Sequence, residues 1–251
     1  MVHVRTISRD LSNLLDLRSV PDISRNGLQV NANNTVRRIG LAVDASMDTF
    51  KAARQKKCDM IIVHHGIKWS GVSDEAGIQG RRERFLRENG ISLFAAHLPL
   101  DRHDTYGNNI RLANLLGLQE CKRFGGLGAL KIGYKGTYGR PVSAASMIRL
   151  LDSSLKTRSV LLRGGKHAIR SVGVVSGSGT STLGQAYLEG ADCLVTGEGP
   201  HRIHHEAKEL GVHVILSGHY QTETVGVASL GPYLERRFGL KTIFLNIPTV
   251  I

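Results

Sequence analysis

Short apolar runs alternate with amphipathic stretches along almost the whole chain. Ile39-Gly40-Leu41-Ala42-Val43 ends at Asp44, and Met60-Ile61-Ile62-Val63 is a second such run. Runs this short and rich in β-branched residues predict buried strands. Between them, 45–57 sets Met47, Phe50 and Ala53 on one face behind a Ser46 cap, which predicts a helix. The charged stretch 79–89 predicts a helix stopped by Gly90, 91–96 a strand, and 108–116 a helix ending at Gly117. A glycine-rich break follows at Phe124-Gly125-Gly126-Leu127-Gly128. Beyond it strands are predicted over 130–134, 159–162, 172–175, 192–195, 212–216 and 241–247, and helices over 143–155, 182–189, 201–210 and 220–238. This rhythm predicts an α/β protein. The break divides it into a first lobe, 1–126 with 217–251, and a second lobe, 127–216.

Composition narrows the class. With 251 residues, 41% of them hydrophobic and 22% charged, the chain can bury a core without disulfides or a structural metal. No apolar run approaches the ~18 residues of a membrane span, and 1–11 lacks the apolar core of a signal peptide, so a cytoplasmic protein is expected. Cys58, Cys121 and Cys193 are scattered without a Cys-x-x-Cys, which argues for isolated thiols. The formal charge of +12 points to anionic partners, small or polymeric. The excess is spread over short groups such as Arg37-Arg38, Lys56-Lys57, Arg81-Arg82-Glu83-Arg84 and Arg236-Arg237 rather than one basic arm.

The chemistry gathers where predicted strands end, which is where α/β folds bind ligands. His64-His65 follows 60–63, His97 and Asp101 follow 91–96, and His219 and Glu223 follow 212–216. Adjacent residues on extended chain point to opposite sides, so His64 and His65 suit two neighbouring ions better than one. Pro99 is expected to force the chain out of helix after the strand. It leaves Asp101 as a ligand or a helix cap, and His97 as a ligand or the group orienting one. Asn108-Asn109 in the same segment reads as a cap or a polar rim. His219 and Glu223, four apart, share one face if a helix begins near Ser217. Imidazole and carboxylate together suit Zn, Fe, Mn, Co or Ni. Glu198, with His201, His204 and His205 on a predicted helix after it, is a candidate for moving protons or a surface cluster. Ser176-Gly177-Ser178-Gly179 is either a phosphate cradle or a plain tight turn.

Asn26-Gly27-Leu28-Gln29-Val30, Val63-His64-His65-Gly66, His97-Leu98-Pro99-Leu100-Asp101, Gly107-Asn108-Asn109, Thr196-Gly197-Glu198 and Gly218-His219-Tyr220-Gln221-Thr222-Glu223 together resemble the NIF-three-like family in its short form. Its members are often named GTP cyclohydrolase I type II homologues. The resemblance implies two similar α/β lobes with mixed sheets and a dinuclear metal site between them. It implies two divalent transition-metal ions on His64, His65, Asp101, His219 and Glu223, with Glu223 as the bridge, and a toroidal homohexamer. Where many relatives carry Pro after the His pair, this chain has Gly66, which is expected to loosen the loop.

Three functions follow. The first is a metal-dependent hydrolase acting on a nucleotide-like or phosphorylated substrate, with Glu198 and His97 moving protons. The second is a nucleic-acid-binding or scaffolding ring, resting on the charge. The third is a metal carrier without catalysis.

Overall fold

The computed structural model describes residues 1–72, 74, 77–128, 130–165 and 168–250, with the backbone alone for Leu127. The fold is α/β and falls into two compact units. Met1–Leu100 with Val227–Ile247 forms one, and Asp101–Gly226 with Pro248–Ile251 the other. The contacts therefore divide the chain at Leu100/Asp101 and Gly226/Val227, whereas the glycine-rich stretch had suggested 126/127 and 216/217.

In the first unit a five-stranded sheet runs in the order Lys241–Phe244, Arg38–Asp44, Met60–His65, Ser92–Ala95, Gly27–Val30. The first four strands are parallel and the last is antiparallel. Met60, Ile61, Ile62 and Val63 are all fully buried, as expected of a parallel strand covered on both faces. The helix Met47–Gln55 follows the predicted pattern, and the Ser46 hydroxyl accepts from the Thr49 N–H at 3.2 Å. The helix Val4–Leu14 was not read from the sequence, although Val4, Ile7 and Leu11 recur at helical spacing and are buried.

In the second unit a six-stranded sheet has the order Gln119–Leu127, Leu130–Val142, Ile169–Val174, Cys193–Thr196, His213–Leu216, Val160–Leu162. Its middle strands Ile169–Val174, Cys193–Thr196 and His213–Leu216 are parallel, and the outer pairings are antiparallel. The glycine-rich stretch is thus the end of a hairpin strand and not a break. A Cβ on Gly126 would stand 1.9 Å from the Leu130 carbonyl oxygen, so the close approach of the two strands demands glycine there. Among the described residues no helix is long and apolar enough to cross a membrane.

Pro99 does not exclude helix. It sits within the first turn of the short helix Leu98–Arg102, where a missing N–H costs no intrahelical bond. The helix predicted over 201–210 begins at Ile203, so His201 precedes it. The last helix, His219–Phe238, starts one residue before its expected position.

Candidate metal centre

In the first unit three parallel strands end together. Arg38–Asp44 delivers Asp44, Met60–His65 delivers His64 and His65, and Ser92–Ala95 leads into Ala96 and His97. Each imidazole is oriented through Nδ1. His64 Nδ1 donates to the Ala96 carbonyl at 3.0 Å, His65 Nδ1 meets Asp44 Oδ1 at 2.8 Å, and His97 Nδ1 meets Asp22 Oδ1 at 2.9 Å. An Nδ1 held by oxygen turns Nε2 outward as the donor, the usual arrangement behind a metal-ligating histidine. Burial raises the Asp22 carboxyl's pKa, but the hydrogen bond and charge of His97 outweigh it and hold the group below its ordinary value. Asp22 also accepts from the Ser24 and Leu98 N–H groups, at 2.9 Å each, so it ties 22–24 to the segment that carries His97.

One ring nitrogen from each of His64, His65 and His97 lies within 4.8 Å of the others. The centroids of His64 and His65 are only 4.6 Å apart. The two rings therefore do not stand on opposite sides of the chain. Each is anchored to a different neighbouring strand, and both turn past the strand end. Gly66 does not loosen this loop. A Cβ there would lie 2.4 Å from the Gln29 amide nitrogen, because Gln29 fills that space and its Oε1 accepts from the Ile67 N–H at 2.7 Å.

The second unit repeats the plan with carboxylates. The ends of Ile169–Val174, Cys193–Thr196 and His213–Leu216 lead into Ser176-Gly177, Gly197-Glu198 and Ser217-Gly218-His219. His219 and Glu223 share the first turns of their helix, with Nε2 to Oε2 at 3.2 Å. Glu198 Oε1 receives His219 Nδ1 at 2.7 Å and the Ser178 hydroxyl at 2.7 Å. Those bonds, Ser178 first and then His219, hold the Glu198 carboxyl below the ordinary range. Burial opposes charge on His219, but Glu223 and then Glu198 outweigh it and push its pKa up to about 9.

Asp101 is 4% exposed, and its Oδ1 accepts from Asn108 Nδ2 at 2.8 Å and from the Ser176 hydroxyl at 3.0 Å. A carboxylate oxygen of Asp101 lies within 4.8 Å of one from Glu223. Gly177 closes over this group with φ +60°, where a Cβ would stand 2.2 Å from Glu223 Oε1. The unit thus gathers one imidazole and two carboxylates.

The sequence model of the family Duf34/NIF3 (NGG1p interacting factor 3) matches residues 2–249. The chain belongs to the Duf34/NIF3 family. It is 42% identical over 240 residues to a Pyrococcus abyssi protein named GTP cyclohydrolase 1 type 2 homolog, covering 95% of this chain and 96% of that one. It is 36% identical over 248 residues to an Archaeoglobus fulgidus protein of the same name, covering 99% of both. The crystal structure of a Thermus thermophilus protein superposes with a TM-score of 0.91 at 38% identity, over 100% of both chains.

For this Duf34/NIF3 chain the donor chemistry fits a divalent transition ion. Each imidazole is fixed through Nδ1, and within the second unit the carboxylates of Asp101 and Glu223 are buried. Three further histidines do not join in. His201, His204 and His205 are exposed and belong to none of the donor groups among the described residues. Nor is Ser176-Gly177-Ser178-Gly179 a phosphate cradle. The N–H groups of Ser176, Gly177 and Gly179 donate to Asn109 Oδ1, Thr222 Oγ1 and Thr196 Oγ1 at 2.6, 3.1 and 2.9 Å. Asp22 escaped the sequence reading, because His97, which it holds, is distant in the chain, and Ser178 was read only as part of a phosphate cradle or a tight turn. Asp44 left a trace, standing where an apolar run stops.

Proposed function

We propose that the chain is a metal-dependent hydrolase acting on a nucleotide-like or phosphorylated substrate. In this reading His64, His65, Asp101, His219 and Glu223 would hold two divalent transition ions, in a toroidal homohexamer of the cytoplasm. The observation that carries it is the oriented donor set in each unit, imidazoles in the first and two carboxylates with an imidazole in the second. Such ions, when bound, would supply Lewis acidity and lower the pKa of water. The names of the Pyrococcus and Archaeoglobus relatives support a nucleotide as the starting point for a substrate search.

The chain's own residues take separate parts. His97, held by the carboxylate of Asp22 on one nitrogen, is suited to pass a proton through the other. Glu198 holds His219 at its Nδ1 and fixes which nitrogen faces the metal. The test is elemental analysis of the purified protein, with hydrolysis assays on GTP and a panel of phosphoesters. About two transition ions per chain, lost together with turnover in His64→Ala, is the expected result. Turnover that persists in His64→Ala, or protein that holds no transition ion, overturns the proposal.

The charge of +12 favours a second reading, a ring that binds nucleic acid. Binding that weakens steeply with salt and falls when Arg81, Arg82 and Arg84 are replaced by Ala supports it. Binding that is flat with salt removes it.

A further inference from the structure

The second unit contains a cavity of about 640 Å³ whose lining includes Glu198 and Gly218, the residue before His219. Glu198 lines the cavity, and the same carboxylate holds His219 Nδ1 at 2.7 Å. Lys156, Arg158, Val160, Leu216 and Gln221 also line it. It is an open cleft whose volume falls within the range, about 300–1,000 Å³, of small-ligand sites.

The two cations are presented by a built loop. Lys156 terminates the helix Ala144–Leu155 with φ +54°, and its N–H donates to the Asp152 carbonyl. Asp152 Oδ1 then accepts from the N–H and the hydroxyl of Ser159, at 2.8 and 2.6 Å. The Ser159 hydroxyl lies 2.9 Å from that of Ser217, which is fully buried immediately before Gly218-His219. Val160 pairs with Leu216 in the sheet. The segment bearing Lys156 and Arg158 is thus tied to the strand end that launches the His219 helix. Neither cation forms an ion pair among the described residues.

The lining therefore has three chemical parts. Lys156 and Arg158 offer charge-assisted donors to an anion. Val160 and Leu216 offer apolar surface. Glu198, whose Oε1 receives the Ser178 hydroxyl and His219 Nδ1, offers a carboxylate to a donor. Gln221 adds an amide whose Oε1 has no hydrogen-bond partner among the described residues, and buried polar groups ordinarily have one.

We infer that this cavity is the substrate pocket, that Lys156 and Arg158 bind a phosphate monoester, and that the ligand's ring or chain lies on Val160 and Leu216 with a donor turned to Glu198. The inference rests on the hydrolase reading for the word substrate, while the binding it describes can be measured by itself. The ligand class is a phosphorylated small molecule with a partly apolar body and an amino or hydroxyl group.

GMP is a suitable probe, having all three parts, and guanosine lacks only the phosphate. Calorimetric titrations of the purified full chain with each compare the parent, Lys156→Gln/Arg158→Gln and Arg158→Glu. Both side chains are exposed, so neither substitution disturbs the core. The parent is expected to bind GMP and to bind guanosine at least about tenfold more weakly, with GMP affinity in either variant falling at least about tenfold. GMP binding equal in parent and double variant, or equal binding of GMP and guanosine by the parent, overturns the inference. So does the absence of GMP binding by the parent. Metal content of the same samples separates the two ideas. Parent protein without transition metal that still binds GMP through Lys156 and Arg158 leaves the pocket standing and removes the metal reading.

Discussion

At the scale of single residues, the site is a set of oriented rings, and orientation is the property most easily tested. The one side-chain bond described for Asp44 runs from its Oδ1 to His65 Nδ1. Asp44→Ala should lower transition-metal affinity by about 10–100-fold in a competition titration against a chelator, without changing the circular dichroism spectrum. Asp44→Asn, which keeps an accepting oxygen, should recover part of the loss; equal affinity in Asp44→Ala and the parent would show that His65 needs no orienting partner. Gly177 is the complementary case. Its left-handed backbone alone makes Gly177→Ala cost about 1–2 kcal/mol, and its new Cβ would meet Glu223 at 2.2 Å. Both the denaturation midpoint and the metal content of Gly177→Ala should fall. A residue-scale reading of the sequence singled out His64, His65, His97, Asp101, His219 and Glu223 as candidate donors, since each stands at a strand end or at helical spacing. It could not reach Asp22, which meets His97 across 75 positions. Contacts that distant leave no periodic trace.

Elements were legible where the hydrophobic period and a cap agreed, as in Met47–Gln55 behind Ser46. They were misread where one residue type serves two purposes. Pro99 opens a helix as readily as it blocks one, and glycine marks a crowded hairpin as readily as a linker. The helix Ile78–Glu88 tests a cap directly. Asp74 accepts from the N–H groups of Gln79 and Gly80 at 2.9 and 3.0 Å. These bonds, Gln79 first, hold the Asp74 carboxyl below its ordinary value of 3.8. A group whose folded pKa is depressed stabilises the fold above its unfolded pKa, and that contribution is lost as the pH falls through the folded value. The difference in thermal midpoint between the parent and Asp74→Ala should therefore be constant above pH 3.8 and shrink below it. A difference that persists unchanged in stronger acid would mean that the Asp74 charge does not act at this helix.

For the whole molecule, metal binding and stability are linked, because an unfolded chain has no assembled donor set. An ion present at about 100 times its dissociation constant adds about 2.7 kcal/mol. In a chain of this size that corresponds to about 5–10 °C in the apparent midpoint. Calorimetry with and without a chelator should show such a drop in the parent and none in His64→Ala. Trp69, the only tryptophan, lies with its ring 6.0 Å from that of His65, and its emission should change as metal is titrated. A midpoint indifferent to chelator in the parent would place the donors outside any metal equilibrium.

The first unit is discontinuous, and this bears on how the polypeptide is made. Its edge strand Lys241–Phe244 pairs with Arg38–Asp44, so the ribosome must translate all of Asp101–Gly226 before that pairing can form. At synthesis rates of about 5–20 residues per second the wait is on the order of 10 s. Throughout it, Arg38–Asp44 offers an unpaired row of backbone donors and acceptors to any other nascent strand. Release from translation just short of Lys241 would leave a particle bearing a sticky edge, and a holding chaperone acting during that interval would decide the yield of native protein.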